Sequence, residues 1–397
     1  MKKGMERIVL FTGGIETQEF FSKRIGEFFQ KEGYEVFFFD FLRERESFLS
    51  LMWFCEKGNT VLITFNFQGI AGEECFQTEN DGNFWDDREV FCINLVVDHP
   101  FYYHDYLLKI PKRYHQISID RFHKKYLERF YPNVKSSSFL VLAGTELEVR
   151  ENEVEDREKG IIFTGNYTIP QTFDKYFTCN GEEYGEFYRG MVEELIARPE
   201  RTMEEVMEEY ICEEIGQLGD DILRVCMKNM IFIDLYVRFY FRGEVVKALV
   251  DSGLQVHILG KGWELLKCEH PENLLREGQV DSAACLRGIS KAKISLNVMP
   301  WFKDGAHDRI FNSMLNKAMC LSDDSIYLRE EMKEGEMIFY SLKEIERVPE
   351  IVRRYLKDEN ARREVVDKGY QKAKREHTWE CRGREILRII KEEGKRV

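Results

Sequence analysis

The sequence predicts an α/β protein built from two doubly wound, Rossmann-like domains that face each other across a cleft. Short apolar runs recur along the chain without polar alternation, which is typical of strands buried on both faces of a parallel sheet. Helical patterns separate these runs, and the arrangement starts again near residue 160. The length of 397 residues agrees with this organisation, because one domain takes roughly 100–200 residues.

The first half opens with a strand–helix–strand unit. Apolar residues at three- and four-residue spacing, from Phe21 to Phe29, predict a helix that ends near Gly33. Neighbouring parallel strands need such a crossover, so this unit favours a doubly wound sheet. The strands predicted before residue 145 are Ile8–Thr12, Val36–Phe39, Val61–Phe65, Phe91–Val97, Gln116–Ile119 and Phe139–Leu142.

A charged stretch with almost no apolar content, Glu146–Lys159, lies between the two halves. We interpret it as a surface linker, with an exposed strand or helix inside one domain as the alternative. We therefore expect an N-terminal domain at residues 1–157 and a C-terminal domain at residues 158–378. Residues 379–397 are expected to form a helix that returns to the N-terminal domain.

The second half repeats the α/β pattern around a helical insertion at about residues 171–240, which is rich in Glu, Met and Leu. The tail from about Val348 to Lys395 is also helical and strongly charged. The strands predicted in this half are Ile161–Thr164, Val256–Gly260, Ile294–Val298, Ala318–Ser322 and Met337–Tyr340.

Composition and charge exclude several classes of protein. With 43% hydrophobic residues and 8 prolines, the chain has enough apolar material to offset the entropy of folding and is not disordered. Its net charge of −13 repels phosphate backbones and argues against general nucleic-acid binding. No apolar run reaches the ~18 residues of a membrane span, and the N-terminus reads as a strand, so the cytoplasm is the expected location.

The ten cysteines include no CxxC pair, which favours reduced structural thiols over a zinc site.

Ligands of doubly wound sheets bind beyond the carboxyl ends of the strands, so the loops that follow the strands hold the candidate site. After the first strand, Gly13 and Gly14 allow close backbone approach to a ligand; a plain tight turn is the alternative, because GxGxxG is absent. Later in the same half, Asp98 and His99 pair a carboxylate with an imidazole and suit proton transfer. The alternative is that they cap helices or satisfy buried backbone groups.

Three strand-exit loops of the second half also carry candidate residues. Gly165 and Asn166 can present backbone N–H groups and an amide. In the next loop, Lys261 precedes Gly262 and Trp263; the lysine could meet phosphate and the indole could stack on a base, or the indole could lie in the core.

The third loop leads into a helix that begins near Asp308. Its partly positive N-terminus, with His307 and Arg309, predicts a clamp for a diphosphate. Asn312, one turn into the helix, can reach a ribose hydroxyl, and Asp304 can accept from sugar hydroxyls; an ordinary capped helix with a solvated Arg309 is the alternative. The residues of this segment that we expect to contact a donor are Gly305, Ala306, His307, Arg309 and Asn312.

Three segments give this half a recognisable character, namely RGEVVKALVDSGLQVHILGKGWE, ISKAKISLNVMPWFKDGAHDRIFNSMLNKAMCLSDDSIYLREEM and EGEMIFYSLKEI. They resemble the group 1 glycosyltransferases of the GT-B fold, particularly the bacterial CgeB-like (spore maturation protein) branch. The resemblance implies a nucleotide-sugar-dependent hexosyltransferase that holds its donor mainly with the C-terminal domain. Relatives often carry two acidic residues separated by seven others; the matching positions are Asp304 and Asn312, the second of which is an amide.

The resemblance also implies a reaction that needs no divalent metal and often retains configuration, and the sequence contains no DxD motif. We therefore expect a transferase that moves a sugar from a nucleoside diphosphate sugar to an unidentified protein, peptide or glycan, without metal or other cofactor. Catalytic roles are assigned to Asp98, His99 and Asp304, with the acceptor on the N-terminal side. The alternatives are a non-catalytic nucleotide-sugar-binding or interaction protein of the same fold, and an epimerase or phosphorylase.

Overall fold

A computed structural model describes residues 5–79, 82–147, 157–178 and 181–396. The chain divides into two compact units. Unit 1 comprises Met1–Leu142 and Thr378–Val397, and unit 2 comprises Ala143–His377. Most of the predicted linker, residues 148–156, lies outside the described residues, as does Cys179. Each unit is built on a six-stranded parallel sheet, which confirms the predicted α/β class with two Rossmann-like domains.

Unit 1 has the strand order β2-β1-β3-β6-β7-β8. All these strands are parallel, but the order in which they are added to the sheet reverses between β1 and β3, because β1 pairs with β2 on one side and with β3 on the other. Every residue of β3 and β6 is buried, which explains their continuously apolar sequences. The strands are β1 (Arg7–Thr12), β2 (Glu35–Asp40), β3 (Thr60–Phe65), the short hairpin β4 (Gln77–Thr78) and β5 (Gly82–Asn83), β6 (Phe91–Val96), β7 (Tyr114–Ser118) and β8 (Ser137–Phe139). The helices are α1 (Glu16–Lys31), α2 (Glu44–Phe54), α3 (Phe84–Asp87), α4 (His104–Leu107) and α5 (Arg121–Phe130).

Unit 2 has the strand order β11-β10-β9-β12-β13-β14. This is the order of dinucleotide-binding Rossmann sheets. The order in which strands are added to the sheet reverses between β9 and β12. The sequence pattern missed β11, because a three-residue edge strand gives no apolar run. The strands are β9 (Lys159–Thr164), β10 (Val256–Leu259), β11 (Leu274–Arg276), β12 (Ala292–Asn297), β13 (Met319–Asp323) and β14 (Ile338–Tyr340).

Helices surround the second sheet and fill the predicted insertion. The longest, α9, has apolar residues on all sides and is largely buried, as a helix inside a domain must be. The helices of unit 2 are α6 (Gly185–Ala197), α7 (Met203–Ile215), α8 (Asp220–Lys228), α9 (Ile231–Asp251), α10 (Ser282–Ser290), α11 (Asp308–Leu315), α12 (Ile326–Glu331), α13 (Val348–Lys357) and α14 (Glu359–Glu376).

The C-terminal helix α15 (Trp379–Arg396) packs in unit 1 against α1. The rings of Trp379 and Phe21 have centroids 5.1 Å apart. Gly383 lies so close to Phe28 that an added Cβ would sit 2.3 Å from its ring. In the part of the chain that the structure describes, no helix is both long enough and apolar enough to cross a membrane.

Candidate functional site

In a sheet of this topology a ligand binds at the carboxyl ends of the two neighbouring strands between which the strand order reverses. In unit 2 these strands are β9 and β12. The loops that follow β9 and β10 meet there with almost no space between them. A Cβ on Gly260 would lie 2.1 Å from the carbonyl oxygen of Gly165, and one on Gly262 would lie 2.0 Å from that of Tyr167. The backbone N–H of Lys261 donates to Asn166 Oδ1 at 3.0 Å. The structure therefore brings together four predicted site residues: Gly165, Asn166, Lys261 and Gly262. The side chain of Lys261 is exposed.

The side chain of Trp263, in the loop after β10, contacts the loop after β9. Its indole is 1% exposed, stacks on Tyr167 with centroids 5.0 Å apart, and donates from Nε1 to the carbonyl oxygen of Gly165 at 2.7 Å. Of the two interpretations of Trp263, the structure thus selects the core residue. Stacking on a base is wrong for this side chain, because the indole is almost fully buried and Tyr167 already stacks on it.

Arg309 lies at the divergence of β9 and β12. Its Nη1 donates to the carbonyl oxygen of Thr164 at 2.6 Å, and its guanidinium carbon lies 5.7 Å from the centroid of the Phe163 ring. Burial lowers the pKa of Arg309, although Asp308 and Asp323 oppose that effect. The solvated Arg309 of the alternative interpretation is therefore not observed.

His307 and Asp308 precede Arg309 and form a close pair, with Nδ1 of the imidazole 2.6 Å from Oδ1 of the carboxylate. The same Nδ1 lies 3.3 Å from the backbone nitrogen and Nε of Arg309. One ring nitrogen cannot donate to a carboxylate and also accept from two donors, so the shorter distance assigns its hydrogen to the bond with Asp308. Nε2 is then the ring nitrogen that can meet a ligand.

The pKa values of this pair follow from its surroundings. Burial first, and Arg309 second, lower the pKa of His307 against the opposing effect of Asp308. Burial alone would raise the pKa of Asp308, but His307 and Arg309 outweigh it and the pKa is lowered. At neutral pH the site therefore combines a neutral imidazole, a carboxylate and a guanidinium.

Two further arginines, which the sequence analysis missed, converge on the same place from α9. The guanidinium carbons of Arg238 and Arg242 lie 4.1 Å and 5.4 Å from the ring centroid of Trp301, in the loop after β12. Arg242 also lies 5.9 Å from the Phe163 ring that Arg309 covers. The available signal was the pair of arginines four residues apart in a mainly apolar helix, IFIDLYVRFYFRGEVV, in which Asp234 lies four residues before Arg238 and pairs with it.

Arg242 is the most constrained of the three guanidinium groups. It is 7% exposed, and it donates from Nη1 to the carbonyl oxygen of Asn166 at 2.6 Å. Its Nε has no hydrogen-bond partner among the described residues. Burial, followed by repulsion from Arg309 and Arg238, lowers its pKa well below the usual value. A buried cation beside two others is costly in the empty protein, and an anionic ligand would relieve that cost.

Asn312 uses its side-chain amide within unit 2. Its Nδ2 donates to Asp308 Oδ2 at 2.9 Å, and its Oδ1 accepts from the backbone N–H of Thr145 at 2.8 Å. One turn later, Asn316 bonds to the same segment through Leu147 N and Thr145 O, at 3.1 Å and 2.8 Å. The two amides fasten residues 143–147 along α11, so a contact from Asn312 to ribose stays a prediction.

The loop that leads to α11 is tightly packed. Asp304 is buried, Ala306 has no exposed surface, and the carbonyl oxygen of Gly305 accepts from Ser325 Oγ at 2.7 Å. These contacts fix the course of the chain into His307. The role of Asp304 toward a sugar hydroxyl stays a prediction.

In unit 1, the loop of Gly13 and Gly14 forms a tight turn whose amide faces an acid. The N–H of Gly13 donates to Glu19 Oε2 at 2.8 Å, and Gly13 has a φ of +75°. A Cβ on Gly13 would lie 2.3 Å from Asp40 Oδ1, and one on Gly14 would lie 2.0 Å from Gln68 Nε2. A loop whose amide already meets a carboxylate is poorly suited to phosphate, so the geometry favours the tight-turn interpretation.

His99 is a core residue of unit 1. It is 2% exposed, its Nδ1 accepts from the N–H of Phe101 at 3.3 Å, and its ring centroid lies 4.6 Å from those of His123 and Tyr126. The structure therefore selects the alternative in which His99 caps a helical turn. The prediction that it deprotonates an acceptor is wrong in this conformation, because the imidazole is enclosed.

Asp98 is half-buried beside an unusual turn. Its Oδ2 accepts from Asn66 Nδ2 at 3.1 Å and from the Tyr103 hydroxyl at 3.2 Å. Asn66 and the next residue, Phe67, have φ angles of +48° and +65°, which are strained for non-glycine residues. The turn follows β3, next to the reversal point of the unit 1 sheet. Backbone strain of this kind clusters at functional sites, and no residue pattern before or after Asn66 predicts it.

One group of side chains in the described part of the chain has a geometry that could hold a cation: Glu331, Glu376 and His377. The ammonium of Lys372 already bonds to both carboxylates, at 2.6 Å for Glu331. These residues therefore form an ion-pair network that joins α12 to α14.

Comparison with known proteins adds to this geometry. Residues 242–388 match the model of a family described as glycosyl transferase-like, and no curated protein matches the chain. Among solved structures, HepE of Anabaena in complex with UDP-glucose aligns with a TM-score of 0.55 at 7% identity, over 97% of this chain and 99% of that one. Sucrose-phosphate synthase of Thermosynechococcus elongatus gives 0.52 at 10%, over 99% and 100%. The DNA-modifying enzyme β-glucosyltransferase, crystallised with and without uridine diphosphoglucose, gives 0.52 at 9%, over 97% and 99%. At such identities the likeness shows the fold, which is that of GT-B glycosyltransferases.

Proposed function

We propose that this protein is a glycosyltransferase that takes a sugar from a nucleoside diphosphate sugar bound at the carboxyl edge of the unit 2 sheet. The observation that carries the proposal is the convergence of Arg238, Arg242 and Arg309 at the point where β9 and β12 diverge. Arg238 forms an ion pair with the buried Asp234 at 2.8 Å, whereas Arg242 and Arg309 donate to backbone carbonyl oxygens, and these bonds leave the charge of the two guanidinium groups uncancelled. A diphosphate supplies the negative charge that would make the arrangement favourable.

The same residues suit the chemistry of transfer. When the bond between the sugar and the diphosphate breaks, negative charge grows on the leaving oxygen, and preorganised guanidinium groups stabilise that charge. We propose that these arginines do what a divalent metal does in other transferases, so the reaction needs no metal. In keeping with the resemblance of the sequence, we further propose that it retains the configuration of the sugar and that the family branch is CgeB-like.

His307 contributes through Nε2. In the unliganded protein Arg309 helps to hold its pKa low, and a bound diphosphate would oppose that effect and favour the protonated ring. We propose that nucleotide binding near pH 7 is therefore accompanied by proton uptake at His307, whose Nε2–H then donates to a phosphoryl oxygen. Asp308 keeps the ring oriented through Nδ1.

On unit 1, we propose that Asp98 contacts the acceptor. It is the predicted catalytic residue of that unit which is not enclosed, and the strained turn at Asn66 holds it through a hydrogen bond. A carboxylate can orient or deprotonate an acceptor hydroxyl.

Calorimetry with UDP-, GDP- and dTDP-glucose, each with EDTA and with Mg²⁺, tests the proposal. We expect micromolar to millimolar binding of at least one donor, unchanged by EDTA, and proton uptake detected as a dependence of the measured heat on the buffer. If none of the donors binds, the assignment of the donor site fails. If binding requires Mg²⁺, the metal-independent mechanism fails.

The second candidate is a non-catalytic nucleotide-sugar-binding protein of the same fold. It is favoured by Asn312, where relatives often carry an acid and where this chain uses an amide to fasten residues 143–147. Slow hydrolysis of the bound donor distinguishes the two. A transferase releases free sugar and nucleoside diphosphate over hours, which anion-exchange chromatography detects, whereas a binding protein leaves the donor intact.

A further inference from the structure

One face of α2 in unit 1 exposes large apolar side chains to solvent. Trp53 is 88% exposed, and Leu49, one helical turn before it, is 50% exposed. Leu42, which precedes the helix in the turn after β2, is 82% exposed. Trp53 and Leu42 are the two most exposed large apolar side chains in the part of the chain that the structure describes. Exposed apolar side chains that share one face mark an interaction surface.

The opposite side of α2 already packs within unit 1. Leu51 is fully buried, and the Phe54 ring stacks on Phe37 of β2 with centroids 5.2 Å apart. These contacts attach the helix to its unit and do not involve Leu49 or Trp53. A helix with apolar residues around its whole circumference is normally covered on all sides, as α9 is. The outer face of α2 therefore has the composition of a surface that a partner covers.

The charges beside this face decide which partner fits. Arg43 and Arg45 alternate with Glu44 and Glu46, all four of them exposed, so the charges at the start of the helix cancel. A balanced surface has no attraction for anionic lipid headgroups, which bind basic segments. It does let two copies of a chain with a net charge of −13 approach each other at this place. The charges therefore favour a second copy of the same chain.

Arg45 lies on the same face, one turn before Leu49, and has no ion pair or ring contact among the described residues. In a two-fold dimer a surface patch meets itself, so residue i of one copy contacts residue j of the other and the reverse. When two α2 helices pair antiparallel about Leu49, Arg45 of each copy lies opposite Trp53 of the other. A guanidinium over an indole is a favourable pair, and the symmetry forms it twice.

We propose that the protein forms a two-fold dimer in which the α2 helices of two copies pack antiparallel, with Leu49 at the axis and Trp53 of each copy against Arg45 of the other. The inference is independent of the proposed function, because it uses no residue of the donor site and not Asp98. A helix of 11 residues is about 16 Å long, so its face is smaller than the roughly 800 Å² that each partner buries in a standard interface. We therefore expect a reversible dimer with a dissociation constant in the micromolar range.

Analytical ultracentrifugation of the full chain, from about 1 µM to about 200 µM, tests the dimer. The weight-average mass should rise from 47.2 kDa toward twice that value. Trp53→Glu and Leu49→Glu put like charges on both sides of the interface and should weaken the dimer at least about tenfold. Ile222→Glu makes the same change at an exposed position of α8 and should behave as wild type. Should either α2 variant fail to fold, Arg45→Met removes the cation opposite Trp53 and is expected to weaken the dimer severalfold.

Disulfide cross-linking tests the antiparallel geometry. A residue at a two-fold axis meets its own copy, so Leu49→Cys should form a covalent dimer on mild oxidation. Ser50→Cys is the matched control, because this exposed neighbour points about 100° away around the helix. Wild type gives the background from the native cysteines, and those that the structure describes are all buried or half-buried.

The inference is overturned if the wild-type chain stays at 47.2 kDa up to about 200 µM, or if a dimer forms that neither glutamate substitution in α2 weakens. A dimer in which Leu49→Cys cross-links no better than Ser50→Cys would refute the antiparallel arrangement. Co-sedimentation with vesicles of phosphatidylcholine and phosphatidylserine examines the other occupant. A monomer that binds these vesicles, and that loses the binding in Trp53→Glu, would assign the face to a lipid surface instead.

Discussion

Nη1 of Arg309 donates to the carbonyl oxygen of Thr164 at 2.6 Å, and this bond joins the first turn of α11 to the end of β9. The bond fixes the guanidinium at the point where the two halves of the unit 2 sheet separate. Because a guanidinium has five N–H donors, the remaining ones can serve a diphosphate while the group stays anchored. A lysine has no comparable geometry for doing both.

Replacing Arg309 by alanine is therefore expected to weaken nucleotide binding by about 1–3 kcal/mol, the range for a charge-assisted hydrogen bond. Calorimetry with UDP or the best-bound donor measures the change. Arg287→Ala, on the exposed side of α10, is the control and should bind as wild type does. An unchanged affinity in Arg309→Ala would remove this residue from the site.

Arg242→Met is expected to separate stability from binding. Methionine removes a buried charge that two other arginines repel, which is favourable, and also the hydrogen bond to the carbonyl oxygen of Asn166, which is unfavourable. Because the two effects oppose each other, the free energy of unfolding of the empty protein should change by no more than about 1 kcal/mol. The rise in melting temperature on adding nucleotide should be largely lost, because that rise depends on binding affinity. Thermal scans with and without UDP test this. Strong destabilisation together with a normal ligand-induced rise would show that Arg242 is structural.

The arginine cluster could be predicted from the sequence only in part. Parallel topology fixes which strand ends lie at one edge, so Gly165, Lys261 and Arg309 could be predicted to gather from their positions after strands. Arg238 and Arg242 could not, because a helix that is apolar on all sides gives no indication of which face turns toward the sheet edge. The direction in which they point is set by packing of α9 and becomes visible only in the folded unit.

Aromatic and imidazole side chains posed the same difficulty. Trp263 and His99 each follow a strand, and nothing in the local sequence tells whether such a ring turns outward to a ligand or inward to the core. The structure turns both inward, Trp263 toward Tyr167 and His99 toward Tyr126. Burial of a large ring stabilises the core, and that tertiary gain decided the outcome.

Asn312→Asp places an acid one turn into α11, and it is expected to destabilise unit 2 at neutral pH. The amide nitrogen that donates to Asp308 Oδ2 at 2.9 Å would become a carboxylate oxygen. Two carboxylates so close cannot both ionise easily, so one folded-state pKa rises above its unfolded value. The cost should be about 1–3 kcal/mol.

The pH dependence identifies the cause of that loss. Stability tied to a raised carboxyl pKa is lost as the pH rises through the values of the unfolded and folded states. The deficit of Asn312→Asp should therefore shrink between pH 7 and pH 4, measured by urea unfolding at each pH. A deficit independent of pH would point to packing instead of charge repulsion.

Trp263→Phe is expected to cost about 1–3 kcal/mol of folding stability, because it leaves the carbonyl oxygen of Gly165 without its indole donor. The relative affinities for UDP and GDP should stay as in wild type, since the indole does not contact the base. Trp53→Phe is the control, because that side chain is 88% exposed and its loss should be nearly neutral. A change in base preference would contradict the core assignment of Trp263.

Asp323→Asn is expected to stabilise the protein at pH 8 and to have little effect near pH 4. Burial raises the pKa of Asp323 from 3.8 to about 7, so the folded state binds a proton more tightly than the unfolded state does. Stability therefore falls as the pH rises between these two values and then levels off. An asparagine keeps an acceptor for Met299 N and never ionises. Each pH unit of separation is worth about 1.4 kcal/mol, so urea unfolding at pH 8 should show a gain of up to about 4 kcal/mol. A stability difference that does not grow between pH 4 and pH 7 would contradict this assignment of the buried proton.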